Sequence, residues 1–134
     1  MSKKNRISTY IQTAIDEMEL AEQMAAPIIE ADDFGKSLNG MTIFRACSMS
    51  IQCITENFTN VRNSTKAGFF KRYNTIPWNE VLGMRNFIAH EYANVDEEAI
   101  FTTLKEDMPH LKEVSKQILI DLQKGLLNDF IDEQ

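Results

Sequence analysis

The sequence predicts an all-α fold, an antiparallel bundle of four to five helices. Apolar residues recur at three- and four-residue spacings along most of the chain, and no stretch alternates apolar with polar in the two-residue rhythm of a strand. Gly and Pro number only 5 and 3, too few for a loop-rich or disordered chain. The 134 residues and 43% hydrophobic content suit one domain with a compact core.

The elements follow in order. Ile7, Tyr10, Ile11, Ala14, Ile15 and Met18 form one stripe of a first helix, which should end near Pro27. "EADDFGKSLNG" reads as a turn-rich connection. A second helix places Met41, Phe44, Cys47, Ile51, Ile54 and Phe58 on its buried side. "TNVRNSTKAGFFKRYNT" is polar, basic and aperiodic, and reads as a loop. A third helix starts at Pro77, a favoured first position, with Trp78, Val81, Leu82 and Ala89 as its apolar stripe. Asp96 can cap the next helix, and Glu97 and Glu98 suit the positive end of its dipole. Ile100, Leu104, Leu111, Val114, Ile118 and Leu122 continue it. Pro109 should kink that run, because it cannot donate to the carbonyl of Lys105. Gly125 should end it. The expected organisation is a helical domain over residues 1–124 and a short acidic tail over residues 125–134. Trp78 is expected in the core, the seven methionines as core filling, and His110 on the surface.

Charge and composition exclude several classes. A net charge of −6 argues against a general nucleic-acid coat. Residues 61–90, however, hold five basic side chains against one acidic, a local +4, while the rest holds nine against nineteen, or −10. Such a middle could hold a polyanion at one place only. The amino terminus lacks the apolar core and cleavage site of a signal peptide. No apolar run approaches the ~18 residues of a membrane span. Cys47 and Cys53 lie six apart in one helix, ~9 Å at 1.5 Å per residue, too far for a disulfide. These features point to a reduced, cytoplasmic protein. Two histidines and two scattered cysteines give a zinc site poor support, and no Gly-rich phosphate loop or nucleophile elbow is present. No metal or cofactor is expected.

"MRNFIAHEY", residues 84–92, stands apart. At ~100° per residue, Arg85 lies ~700° past Trp78, on or beside the apolar stripe, where a leucine would be ordinary. A guanidinium there needs anions or hydrogen-bond partners. Asn86 and His90 are four apart and share a face. Tyr92 falls at or beyond the helix end. The residues alone leave two readings open. Arg85 is a buried cation paired with an acid such as Glu56, with a helix-end histidine and tyrosine beside it. Or the group is an RNA-cleaving site.

The stretch "IPWNEVLGMRNFIAHEYANVDEEAIFTTLKEDMPHLKEVSKQIL" resembles the HepT-like branch of the HEPN superfamily. The hallmark is Arg, a polar residue, three residues, His, any residue, Tyr: here Arg85, Asn86, His90 and Tyr92. Ile76-Pro77-Trp78, Val95-Asp96 and Glu106-Asp107-Met108-Pro109 match the flanks. Ile54-Thr55-Glu56 resembles the second-helix pattern, although Thr55 and Asn57 stand where small residues are usual. The resemblance implies a HEPN-like bundle and the toxin of a type VII-like toxin–antitoxin pair. Its activity would be metal-independent endoribonuclease, with Arg85 and His90 catalytic and Asn86 and Glu56 supporting. It implies a homodimer with the two Arg-x4-His motifs in one interface cleft. The implied antitoxin is an MNT-type nucleotidyltransferase that transfers AMP to the motif tyrosine, Tyr92. Arg62, Lys71 and Arg72 are candidate contacts to the RNA backbone, against the plainer reading of solvated loop charges. The first rival is a non-catalytic HEPN module that binds nucleotide or recruits a nucleotidyltransferase. The second is a purely structural bundle with a paired Arg85.

Overall fold

Ser2 starts the first helix: its Oγ accepts from the Asn5 amide at 3.1 Å. Helix α1 then runs Lys3–Met24 in the computed structural model, which describes residues 1–91 and 96–132, with the helical backbone alone over residues 85–91. Its stripe of Ile7, Ile11, Ala14, Ile15, Met18 and Ala21 is buried against α2 (Leu38–Asn63), its most extensive neighbour. The connection between them folds as a single 3-10 turn, Ala31–Phe34, and Ser37 caps α2 through the Gly40 amide at 2.9 Å. Gly40 is dictated by contact: a Cβ there would lie 2.1 Å from the carbonyl oxygen of Asp33.

Helix α2 buries Cys47, Ile51, Ile54 and Phe58 as its spacing predicts, but Met41 is exposed and Phe44 only half-buried. The stripe starts later because α1, the helix it packs against, ends at Met24, and the first turns of α2 lean on the 3-10 turn instead. At its other end α2 continues into the stretch expected as loop and stops at Asn63, with Thr59 and Val61 buried. The rest of that stretch carries a 3-10 turn, Phe69–Tyr73, whose Phe69 and Tyr73 are buried. Aperiodic sequence does not mean an unpacked chain: these rings join an aromatic knot. Phe70 stacks on Trp78 at 4.2 Å, Phe58 lies 5.3 Å from Trp78, and Phe69 meets Phe70 edge-on at 5.2 Å. Trp78 sits in the core as expected, and its Nε1 donates to the Tyr73 carbonyl at 2.9 Å. The knot fixes where α3 (Trp78–Glu91) begins.

Asp96 caps α4 (Glu97–Thr102) through the Glu98 amide at 2.9 Å. A π turn, Thr103–Asp107, leads into α5 (Met108–Gln123), where Pro109 occupies the first turn. The proline is therefore accommodated by a register change placed one turn earlier, as π turns insert an extra residue into a helix. Gly125 follows the end of α5, as expected. The acidic segment after it still reaches the core: Leu127 and Ile131 are buried, and the Phe130 carbonyl accepts from the Lys66 amide at 2.8 Å. Among the described residues there is no strand, so the fold is all-α. No described helix is long and apolar enough to cross a membrane.

Candidate active site on the third helix

The helix α3 carries Arg85, Asn86 and His90 on one continuous backbone. Its register can be read from the side chains before them. Trp78 and Leu82 are buried, and Arg85 comes seven and three positions after these on the same line. Asn79 and Gly83 are exposed, and a Cβ on Gly83 would meet nothing within 4 Å. Asn86 and His90 stand three and seven positions after Gly83 along the helix. Tyr92, the expected modification site, lies outside the described residues.

Glu56 sits on the exposed side of α2, the helix that packs against α3. Its carboxylate contributes to raising the Cys53 thiol, after burial and Glu17. Burial pushes the Cys47 thiol up to about 11, against a smaller opposing pull from Lys105. Both cysteines are free, and both are poor sources of thiolate at neutral pH. Among the described residues no group of His, Cys, Asp and Glu could hold a metal ion.

Arg62, Lys71 and Arg72 do not behave alike. Arg62 and Lys71 are exposed and line one small hollow with Lys66, of 140 Å³, between the end of α2 and the 3-10 turn. Arg72 instead faces α5, its Nε 3.8 Å from Oδ2 of the buried Asp121. Asp121 also accepts from the Tyr73 hydroxyl at 2.6 Å and from Gln117 Nε2 at 2.9 Å. Burial alone would raise its carboxyl; the hydrogen bonds from Tyr73 and Gln117, then Arg72 and Lys124, outweigh that and hold it low. Burial first, then the hydrogen bond and charge of Asp121, push the Tyr73 hydroxyl well above its ordinary range. Sequence reasoning missed Asp121, since one carboxylate in an acidic helix carries no mark of burial.

A larger cleft, 440 Å³, opens on another flank of α3. Ile51, Ile54, Val81 and Met84 give it an apolar wall, and Glu80, Glu106 and Asp107 an acidic rim. The π turn supplies two of those acids, so the register change is also what brings them there. His110, exposed as expected, stands at the rim with Nε2 3.0 Å from Thr75 Oγ1.

Comparison with known proteins adds a lineage. A family profile described as "Ribonuclease HepT-like" matches residues 11–118. A candidate RNase of Caldanaerobacter subterraneus is 30% identical over 111 residues, covering 82% of this chain and 91% of its own. A protein of Thermococcus cleftensis named "Probable ribonuclease HepT" is 31% identical over 104 residues, covering 77% of this chain and 86% of its own. A Methanocaldococcus jannaschii protein, named for gamma-glutamylcyclotransferase and candidate RNase functions, is 30% identical over 125 residues. That alignment covers 92% of this chain but only 52% of the relative, so the chain spans about half that protein's length. No solved structure matches the chain.

Proposed function

The chain belongs to the HepT-like ribonuclease family, and on that premise we propose that it is a metal-independent endoribonuclease toxin whose cleaving site is completed by a second copy of the chain. The observation that carries the reading is the family match itself, whose span of 11–118 contains the whole Arg85–Tyr92 stretch. The helical backbone of α3, which carries Arg85, Asn86 and His90 together, is compatible with it.

The chemistry asks for little beyond these residues. RNA brings its own nucleophile. The 2′-hydroxyl attacks the adjacent phosphorus, the bond to the 5′-oxygen breaks, and a 2′,3′-cyclic phosphate and a 5′-hydroxyl result. One group must take the 2′ proton and another must give a proton to the leaving oxygen. Imidazole suits both tasks because it titrates near neutrality. Arg85 can hold two non-bridging oxygens and offset the charge that builds on them. Asn86 can orient the phosphate or His90, with Glu56 supporting from α2. Each chain has one motif histidine, so a symmetric dimer supplies one base and one acid.

Control follows from the same stretch. An MNT-type nucleotidyltransferase would activate the Tyr92 hydroxyl to attack the α-phosphorus of ATP, releasing pyrophosphate and leaving AMP on the ring. Each adduct adds negative charge and bulk beside Arg85, and both oppose RNA. The free cysteines fit action in a reducing cytoplasm. A second reading, a non-catalytic module that binds nucleotide or recruits the nucleotidyltransferase, draws on the 440 Å³ apolar cleft beside α3, a size ligand sites favour. Incubating purified protein with RNA in EDTA separates the two. Cleavage leaving cyclic phosphate ends, abolished in His90→Ala, supports the nuclease; intact RNA supports the binding module.

A further inference from the structure

We propose that the hollow formed by Arg62, Lys66 and Lys71 is a phosphate subsite that grips the RNA backbone a few nucleotides from the cleavage point. The inference rests on the ribonuclease reading for its ligand, and on separate geometry for its place. The hollow measures 140 Å³, and among the described residues no carboxylate lines it. Among the described residues, none of its three cations is within ion-pair distance of an acid. Elsewhere the acidic chain readily supplies partners: Lys36 pairs with Glu30, Lys112 with Glu22, Lys116 with Glu19 and Arg72 with Asp121. Three cations lining one hollow, with no acidic partner among the described residues of a chain of net charge −6, form a local anion site that the rest of the surface opposes.

The floor of the hollow is held in place. Gly68 turns the chain with φ +98, and a Cβ there would press on the Phe130 ring at 3.2 Å. The Lys66 amide donates to the Phe130 carbonyl, and Phe69 is buried edge-on to the Phe130 ring at 6.5 Å. The acidic C-terminal segment therefore braces a basic turn through its backbone and its rings. A site built on braced backbone needs little reordering when an anion arrives.

Its position relative to the motif follows from the hairpin. Trp78 and Phe58 mark one level, with rings 5.3 Å apart. Arg62 is one turn beyond Phe58 toward the loop, ~6 Å, and Arg85 is seven residues beyond Trp78 in the other direction, ~10 Å. The two sites are thus ~16 Å apart along the hairpin, a span of a few nucleotides. The acidic rim of Glu80, Glu106 and Asp107 repels phosphate from the cleft, so a strand held at the motif is steered toward the hollow.

The test is binding of a fluorescein-labelled single-stranded RNA 20-mer, followed by anisotropy against salt, with His90→Ala protein so that the probe survives. Adding Arg62→Gln, Lys66→Gln and Lys71→Gln together should weaken binding at least tenfold at low salt. The slope of log K against log salt should flatten by about 2, since each phosphate contact on single strands contributes ~0.7. Arg72→Gln should leave the slope unchanged. An unchanged slope and affinity in the triple variant overturns the subsite, as does a His90→Ala protein that fails to bind RNA. The single reversal Lys66→Glu, which leaves the floor contacts in place, must weaken binding too. A cleavage assay on protein with His90 intact keeps the two ideas apart. Cleavage with an unaltered salt slope sinks the subsite alone; a flattened slope without any cleavage sinks the nuclease alone.

Discussion

Removing one hydroxyl from the loop that anchors α3 should cost the protein a measurable part of its stability. In Tyr73→Phe the ring keeps its place, but Asp121 loses its shortest hydrogen bond, 2.6 Å, at a buried position. What remains is Gln117 on the other oxygen and a half-exposed Arg72 at 3.8 Å. Hydrogen bonds to charged groups contribute about 1.5–3 kcal/mol, and a buried carboxylate left short of donors falls at the upper end. For a chain of this size each kcal/mol moves Tm by roughly 3–5 °C, so the variant should melt about 5–15 °C lower at pH 7. Circular dichroism melts and urea titrations would measure it. The gap should narrow at both pH extremes. Asp121 is depressed in the folded protein, so its contribution is full above the ordinary carboxylate range and is lost as pH falls through its lower folded value. Tyr73 is raised, so the wild type loses stability as pH climbs past about 10, where unfolded tyrosine ionises first. The phenylalanine variant lacks that alkaline loss. A Tm within 2 °C of wild type at pH 7, or a gap that widens in acid, would refute the account of Asp121.

Other outcomes are equally specific. Arg85→Ala and His90→Ala should abolish RNA cleavage while far-UV dichroism stays helical; wild-type cleavage by His90→Ala removes the assignment. Sedimentation at micromolar concentration should give about twice the 15.4 kDa chain mass, and a fully active monomer defeats the shared site. Gly40→Ala forces a Cβ to 2.1 Å from a backbone oxygen and should destabilise by about 1–3 kcal/mol in urea titration. Tyr92→Phe should escape the gain of ~329 Da that intact-mass analysis would find after incubation with ATP, magnesium and the cognate nucleotidyltransferase. An equal gain in the variant places the acceptor elsewhere.

Much of this architecture was legible because helices write a period into sequence. The stripes of α1 and α5, the capping aspartate of α4 and the stop at Gly125 are local signals, and local physics sets them. Register at the start of α2 was not legible, because Met41 faces outward only on account of where α1 ends. Nor was the packed state of residues 59–73, where aromatic rings from three segments meet without any periodic spacing. Arg85, Asn86 and His90 stand out in the sequence as a cluster of residue types, and their backbone lies on α3. The sorting of neighbouring cations was not legible: Lys71 faces a hollow while Arg72 meets Asp121, a residue 49 positions away.

The second histidine of the chain tests whether the site needs a partner at all. A monomer could in principle provide both acid and base if His110 reached the phosphate held at His90. The geometry opposes this. His110 Nε2 is held 3.0 Å from Thr75 Oγ1, beyond the N-terminal end of α3. His90 is twelve residues along that helix from Trp78, ~18 Å at 1.5 Å per residue. An imidazole extends only ~5 Å from its Cα, leaving ~13 Å to cross, whereas proton transfer needs hydrogen-bond reach of ~3 Å or one bridging water. His110→Ala should therefore cleave RNA at close to the wild-type rate. On the proposed reading the second proton-transfer group comes from another copy, and mixing tests it. Because the shared cleft then needs His90 from both chains, wild-type protein unfolded and refolded with an excess of His90→Ala protein should lose most of its activity to heterodimers that hold a single motif imidazole. A His110→Ala protein that folds but cannot cleave would return the second proton to the same chain and remove the reason for a shared site.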